Sequence, residues 1–126
     1  MAWWNREVIP RREIQVGVTP RVVDALPESW GDGRFADQAR SFVELEAIDT
    51  GCELDVFRLC GADPEQLAPL DSTPYATVSV GDTVVVVEWP LPLPAFLCLR
   101  VVARCTSGPG PVSVSVRCLQ TLRVEG

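Results

Sequence analysis

The sequence predicts an all-β fold: a small antiparallel β-sandwich, jelly-roll-like, with an extended N-terminal arm. Three observations predict it. Valine is the dominant apolar residue, and 11 Pro and 9 Gly punctuate a chain of 126 residues, the mix expected of short strands joined by turns. Apolar and polar residues alternate with a period of two in several runs, which turns one face of each run toward a core. Turn signals recur between those runs, and a proline-rich crossover precedes the last two, as in sandwiches and jelly rolls. A closed barrel is the alternative arrangement. The length suits one domain.

Residues 1–24 read as the arm and residues 25–126 as the sandwich domain. The arm opens on Trp3 and Trp4, carries Arg6, Arg11 and Arg12, and alternates over Glu13-Ile14-Gln15-Val16-Gly17-Val18. Thr19-Pro20 is a helix-start signal, so one helical turn is expected through Val22 and Val23 to Leu26. The arm holds four Arg against three acids and the remainder seven Arg against fourteen. That polarity suits an arm lying on an acidic body, its own or a neighbour's. Residues 27–39 form a loop around Gly31-Asp32-Gly33, a turn signal. From Phe42 to Ile48, alternation points Val43, Leu45 and Ala47 inward and Glu44 and Glu46 outward. Glu53 to Cys60 is the next strand, and Asp63-Pro64-Glu65 starts a short helix.

Ala76 to Val80 and Thr83 to Trp89 flank Gly81-Asp82, which predicts a type II′ hairpin with Val78 opposite Val85. Its second face carries Thr77, Ser79, Val84 and Val86, so part of that face calls for a cover. Trp89-Pro-Leu-Pro-Leu-Pro94 lacks ladder donors and is expected to cross between sheets in an extended path. Phe96 to Cys105 and Val112 to Val124 predict a last hairpin with Cys105 opposite Val112. Leu97, Leu99, Val101, Ala103, Val112, Val114, Val116 and Cys118 then point inward. Arg100, Arg104, Ser113, Ser115 and Arg117 point outward, and Cys98 and Cys118, on opposite faces, are not bonded.

Composition excludes whole classes of chemistry. There is no His and no Lys, and 11 Arg against 17 Asp and Glu leave a net charge of -6. Without imidazole there is no Ser-His or Cys-His nucleophile pair and no imidazole metal ligand. An acidic chain offers no uniform positive field to nucleic acid or anionic lipid, so neither nucleic acid nor membrane is expected as a partner. The first residues lack the apolar stretch of a secretory signal, and synthesis in the cytoplasm is expected. The five cysteines, without Cys-x-x-Cys spacing, read as buried free thiols, a Cys52–Cys60 disulfide being the alternative.

Glu44 and Glu46 stand two apart on one strand face, within the roughly 5–10 Å used by glycosidases, but a solvent-facing strand produces the same pair without any catalysis. Asp32, Asp37, Asp49, Asp55 and Asp63 lie in or near loops without the pattern of a calcium loop. No catalytic residue, metal or cofactor is expected, and the chain reads as non-enzymatic. Trp89, ending a strand, reads as core. Trp30, in a polar loop, suits a lid or a sugar-stacking platform. Trp3 and Trp4 are adjacent, and successive side chains of an extended segment diverge, so the pair reads as an anchor for a partner surface.

The stretch Gly81-Asp-Thr-Val-Val-Val-Val-Glu-Trp89, followed by Phe96-Leu-Cys-Leu-Arg-Val-Val-Ala-Arg-Cys-Thr-Ser-Gly-Pro-Gly-Pro-Val-Ser-Val-Ser-Val-Arg-Cys118, resembles the final strands of small β-sandwich accessory proteins of tailed bacteriophage virions. Those proteins pair a Leu-Arg-Val-type strand with a Gly-rich turn and a Val-Ser-Val-type strand. The resemblance implies capsid decoration, head completion, or a tail or fibre adaptor, in symmetric copies and without catalytic residues.

The expected function is therefore that of a virion structural protein, made in the host cytoplasm, that binds capsid or connector subunits and forms a homo-oligomer. Trp3, Trp4, Val8 and Ile9 would supply apolar area, Arg11 and Arg12 would pair with acidic surface, and Val84 and Val86 would add an apolar sheet face. The alternative is a carbohydrate-binding module, on a phage fibre or tail, using Trp30, Asp32 and Asp37.

Overall fold

Alternation becomes ten strands in the computed structural model, which describes residues 2–24, 31–63 and 65–124. They are β1 (Ala2–Val16), β2 (Arg21–Asp24), β3 (Gly31–Asp32), β4 (Gln38–Ile48), β5 (Cys52–Gly61), β6 (Ala68–Pro69), β7 (Ala76–Val78), β8 (Val84–Glu88), β9 (Phe96–Cys105) and β10 (Val112–Val124). The first sheet runs β1-β10-β4-β8. The second runs β2-β9-β5-β6, with β3 also on β9 and β7 also on β5. Because β2 and β3 share one side of β9 and β6 and β7 one side of β5, each sheet has four rows, all antiparallel. In chain order the rows fall in the first, second, first, second, second, first, second and first sheet. That is the jelly roll.

The core lies between the two inner faces. Val112, Val114, Val116 and Cys118 of β10 pack toward Leu97, Leu99, Val101 and Ala103 of β9, with Val43 and Leu45 of β4 and Leu54 and Val56 of β5 beside them; all are buried. Alternation assigned these faces as expected except at Ala47, expected inward but exposed: a register shift sets Leu45 beside Val116 and Ala47 beside Ser115, which reverses the parity of β4 there and packs Ile48 on the core instead. Arg100, Arg104, Ser113, Ser115 and Arg117 stand on the outward sides, half-buried. Trp89 is in the core, 7% exposed, and donates its indole N–H to Ser41 Oγ at 2.9 Å.

The pairing differs from the sequence expectation at both proposed hairpins. Val78 lies beside Leu54 and Val85 beside Val43, so β7 and β8 belong to different sheets. A turn exists, but one residue earlier than expected: Asp82 N donates to Ser79 O at 3.1 Å, so the central pair is Val80-Gly81, with Gly81 second at φ 101°, and Asp82 Oδ2 accepts from Ser79 N at 2.9 Å. It carries the chain across the sandwich instead of folding it onto itself. Likewise β9 and β10 face one another through the core, and Cys105 pairs with Cys52 rather than Val112.

Residues 2–16 are extended, but they are not an arm reaching away. As β1 they pair with β10 from Ala2↔Val124 to Val16↔Val112. Val8, Ile9, Ile14 and Val16 are at most 2% exposed, and with Val23 they belong to the core. Register shifts between Glu7 and Arg12 break the alternation, as β-bulges do, and let the successive Val8 and Ile9 both turn inward. The expected turn of helix at Val22-Val23 is β2, paired with Val102 and Val101; β-branched residues with a free strand edge beside them favour the ladder. Asp63 does accept from Glu65 N at 2.9 Å, yet a turn follows, not a helix. Pro64 and Trp30 lie outside the described residues.

Candidate interaction face

The outward side of the first sheet carries one feature that a jelly roll does not need for its own stability. Leu119 of β10, Phe42 of β4 and Val86 of β8 stand in one register row across three strands, and Val84 follows two residues along β8 opposite Glu44. Val84 is 54% and Val86 43% exposed, while Phe42 and Leu119 are half-buried. The cause is local: four consecutive valines, 84 to 87, make β8 apolar on both faces. Val87 and Val85 serve the core, leaving Val84 and Val86 to water.

Charges frame this row. On one side a chain of ion pairs crosses β1, β10 and β4: Glu7 with Arg117, Arg117 with Glu44 at 3.8 Å, Glu44 with Arg11 at 3.8 Å, and Arg11 with Glu46 at 2.8 Å. On the other, Arg40 pairs with Glu88 at 3.4 Å. Beyond that pair lies a cleft of 160 Å³ lined by Gln38, Ala39, Arg40, Glu88, Trp89 and Leu91, and Leu91 is 66% exposed. Surface pairs of this kind contribute about 0–1 kcal/mol each.

The sheet edges are less suited to contact than the face. β1 carries Pro10, two register shifts and Arg11 and Arg12, features that block strand addition. The chain leaves β8 directly through Trp89-Pro90.

The residues singled out in the sequence are thus divided. Val84 and Val86 lie on this face. Arg11 is on it too, but its guanidinium already serves Glu44 and Glu46 of the same chain, so the acidic body the N-terminal segment lies on is its own. The same pairing engages both carboxylates that resembled a glycosidase pair. Arg12 is exposed. Val8 and Ile9 are core residues and unavailable to a partner. Trp3 and Trp4 stand in register with Arg123 and Leu122. Asp32 is in register with Phe96, and Asp37 is 3.8 Å from the Arg123 guanidinium. Phe42 and Leu119 were not singled out. Their signal was an apolar residue on the outward parity of a strand, among Arg40, Glu44, Arg117 and Thr121.

All five cysteines are free thiols. Burial pushes the Cys118 thiol up to about 12 and Cys98 to about 11, and it also raises Cys52 and Cys60. Cys52 and Cys60 sit at opposite ends of β5, roughly 26 Å apart at strand rise, which rules out the disulfide between them. Among the described residues no group of three or more Cys, Asp and Glu gathers to hold a metal ion, and no helix is long and apolar enough to cross a membrane.

The fold has a relative among viruses. A chain in the structure of the Gt strain of infectious bursal disease virus superposes with a TM-score of 0.60 over 98% of this chain, at 11% identity. This chain spans 33% of that one. At such identity the likeness is one of fold. No protein-family model and no curated protein matches the sequence.

Proposed function

We propose that this chain is a non-enzymatic structural subunit of a virion, which attaches by covering the outward face of its first sheet. The observation that carries this reading is the exposed row Leu119–Phe42–Val86 with Val84, framed by charges, on a jelly roll whose fold neighbour comes from a virus structure. Each side chain is already part covered, so completing its burial contributes roughly 1 kcal/mol. A contact that weak per copy gains strength when symmetry repeats it, which suits a homo-oligomer among other virion proteins. Trp3 and Trp4, at the start of β1, extend the contact in this reading, with Arg12 as a charged neighbour. The resemblance of the C-terminal half to phage accessory proteins favours capsid decoration or a head or tail accessory role, with capsid or connector subunits as partners.

Replacing Val84 and Val86 by Glu tests it. The wild type is expected to self-associate with rising concentration, as read by light scattering, and the double variant to stay monomeric with an unchanged circular dichroism spectrum. A wild type that remains monomeric at every concentration would overturn the homo-oligomeric reading.

A further inference from the structure

We propose that Cys52 and Cys105 form a redox site: a dithiol that closes to a cross-strand disulfide by exchange with a low-molecular-weight disulfide such as oxidised glutathione. The two residues are direct partners in the register of β5 and β9. One step outward, Thr106 N donates to Gly51 O at 2.7 Å. Hydrogen-bonded and non-hydrogen-bonded pairs alternate along an antiparallel ladder, so Cys52 and Cys105 are a non-hydrogen-bonded pair. Cys52 N accordingly donates elsewhere, to Asp49 O at 3.0 Å. Pairs of this kind are the closer ones, with Cα atoms about 4.5 Å apart, inside the roughly 4.4–6.8 Å that a disulfide spans.

The surroundings hold this end of the two strands together. The turn at Gly51 and the loop after Cys105 touch: Thr106 Oγ1 donates to Gly51 O at 3.2 Å, and a Cβ on Gly51 would stand 2.1 Å from Ser107 Oγ. Access is asymmetric. Cys52 is 1% exposed, whereas Cys105 is half-buried and its Sγ donates to Gly108 O at 3.1 Å in the exposed loop. No other cysteine has a cysteine in register: Cys60 faces Leu97, Cys98 faces Leu59, and Cys118 lies in the other sheet beside Val43.

The reaction takes two exchanges. The Cys105 thiolate attacks the reagent disulfide, forming a mixed disulfide and expelling one glutathione thiolate. The Cys52 thiolate then attacks Cys105 Sγ, closing the internal bond and expelling the second. The two protons lost by the cysteines pass to the two leaving thiolates; the cysteine pair is oxidised by two electrons and glutathione disulfide is reduced by two.

The test is to incubate the full chain with oxidised glutathione, block remaining thiols, and map tryptic peptides without reduction. With Arg the only cleavage residue, Cys52 falls in residues 41–58, Cys105 in 105–117, Cys118 in 118–123, and Cys60 and Cys98 together in 59–100. The expected product has peptides 41–58 and 105–117 linked, a mass lower by two hydrogens, and a raised thermal unfolding midpoint that returns on reduction. Cys105→Ser is expected to fold and to show neither the link nor the shift. Five thiols left unreacted, glutathione retained on Cys105, or a link through Cys60, Cys98 or Cys118 would each overturn the proposal.

Discussion

Gln120 of β10 stands directly opposite Ser41 of β4 on the inner face of the first sheet. Both are buried, at 2% and 0% exposure, but only Ser41 has a polar partner, the Trp89 indole at 2.9 Å. Neither Nε2 nor Oε1 of Gln120 has one among the described residues. A buried amide without partners costs about 1–3 kcal/mol. Gln120→Met keeps the unbranched shape and removes both polar atoms, so it is expected to raise urea-unfolding stability by about that amount. Ser41→Ala strands the indole N–H and is expected to lower stability by a similar 1–3 kcal/mol, roughly.

The N-terminal strand is expected to be indispensable. Deleting residues 1–12 strips β10 of most of its partner and takes Val8 and Ile9 out of the core. The deleted chain is expected to show no cooperative unfolding transition. Ile9→Ala alone is expected to cost about 2–5 kcal/mol, the range for emptying a buried aliphatic site. A truncated chain that folds normally would restore the separable arm.

Asp55 ties three strands on the outward side of the second sheet. It is 7% exposed and accepts from Arg104 Nε at 2.7 Å, Arg104 Nη2 at 3.1 Å and Thr77 Oγ1 at 2.7 Å. Arg104 is 37% exposed at its side chain, which screens the pair. Asp55→Ala is therefore expected to cost about 1–3 kcal/mol, with the hydrogen bonds supplying most of it. Thermal unfolding with and without high salt separates the two contributions.

Alkaline stability follows from Cys118. Burial raises its pKa from 9.0 to about 12 in the folded chain. Between those values the unfolded chain releases a proton that the folded chain keeps, so folding binds the extra proton and loses ground as pH rises. The full contribution is present below pH 9 and declines by about 1.4 kcal/mol per pH unit above it. Urea midpoints measured across that window are expected to fall, and Cys118→Val is expected to flatten the decline. Cys98, raised from 9.0 to about 11, adds the same slope over the narrower window between those values, so a decline that levels off near pH 11 remains in that variant.

Which residues face inward was legible from sequence order alone. The inward sets of β9 and β10, Val43 and Leu45 of β4, and the outward valines 84 and 86 follow from a period of two; the register shift that turns Ala47 outward and the displacement of the turn to Val80-Gly81 do not. Partners were not legible. Alternation is the same whether Leu97 to Ala103 lie beside Val112 to Cys118 in one sheet or across from them in another, because either arrangement buries both sets. Backbone hydrogen bonds, which fix the neighbour, carry no residue identity. The interaction face shows the same division. Val84 and Val86 could be named from their own run, but Phe42 and Leu119 joined them only once the ladder set three distant strands level.

The two-layer all-β architecture, the inward faces of β9 and β10 and the absence of imidazole were readable from residue order, since they depend on composition and on neighbours two residues apart. That β1 is a wall of the sandwich, that β9 and β10 lie in opposite sheets, and that Cys52 meets Cys105 emerged from the three-dimensional pairing of strands alone. Those outcomes join residues up to 122 positions apart, as Ala2 and Val124 are, and are set by how both sheets together close one core.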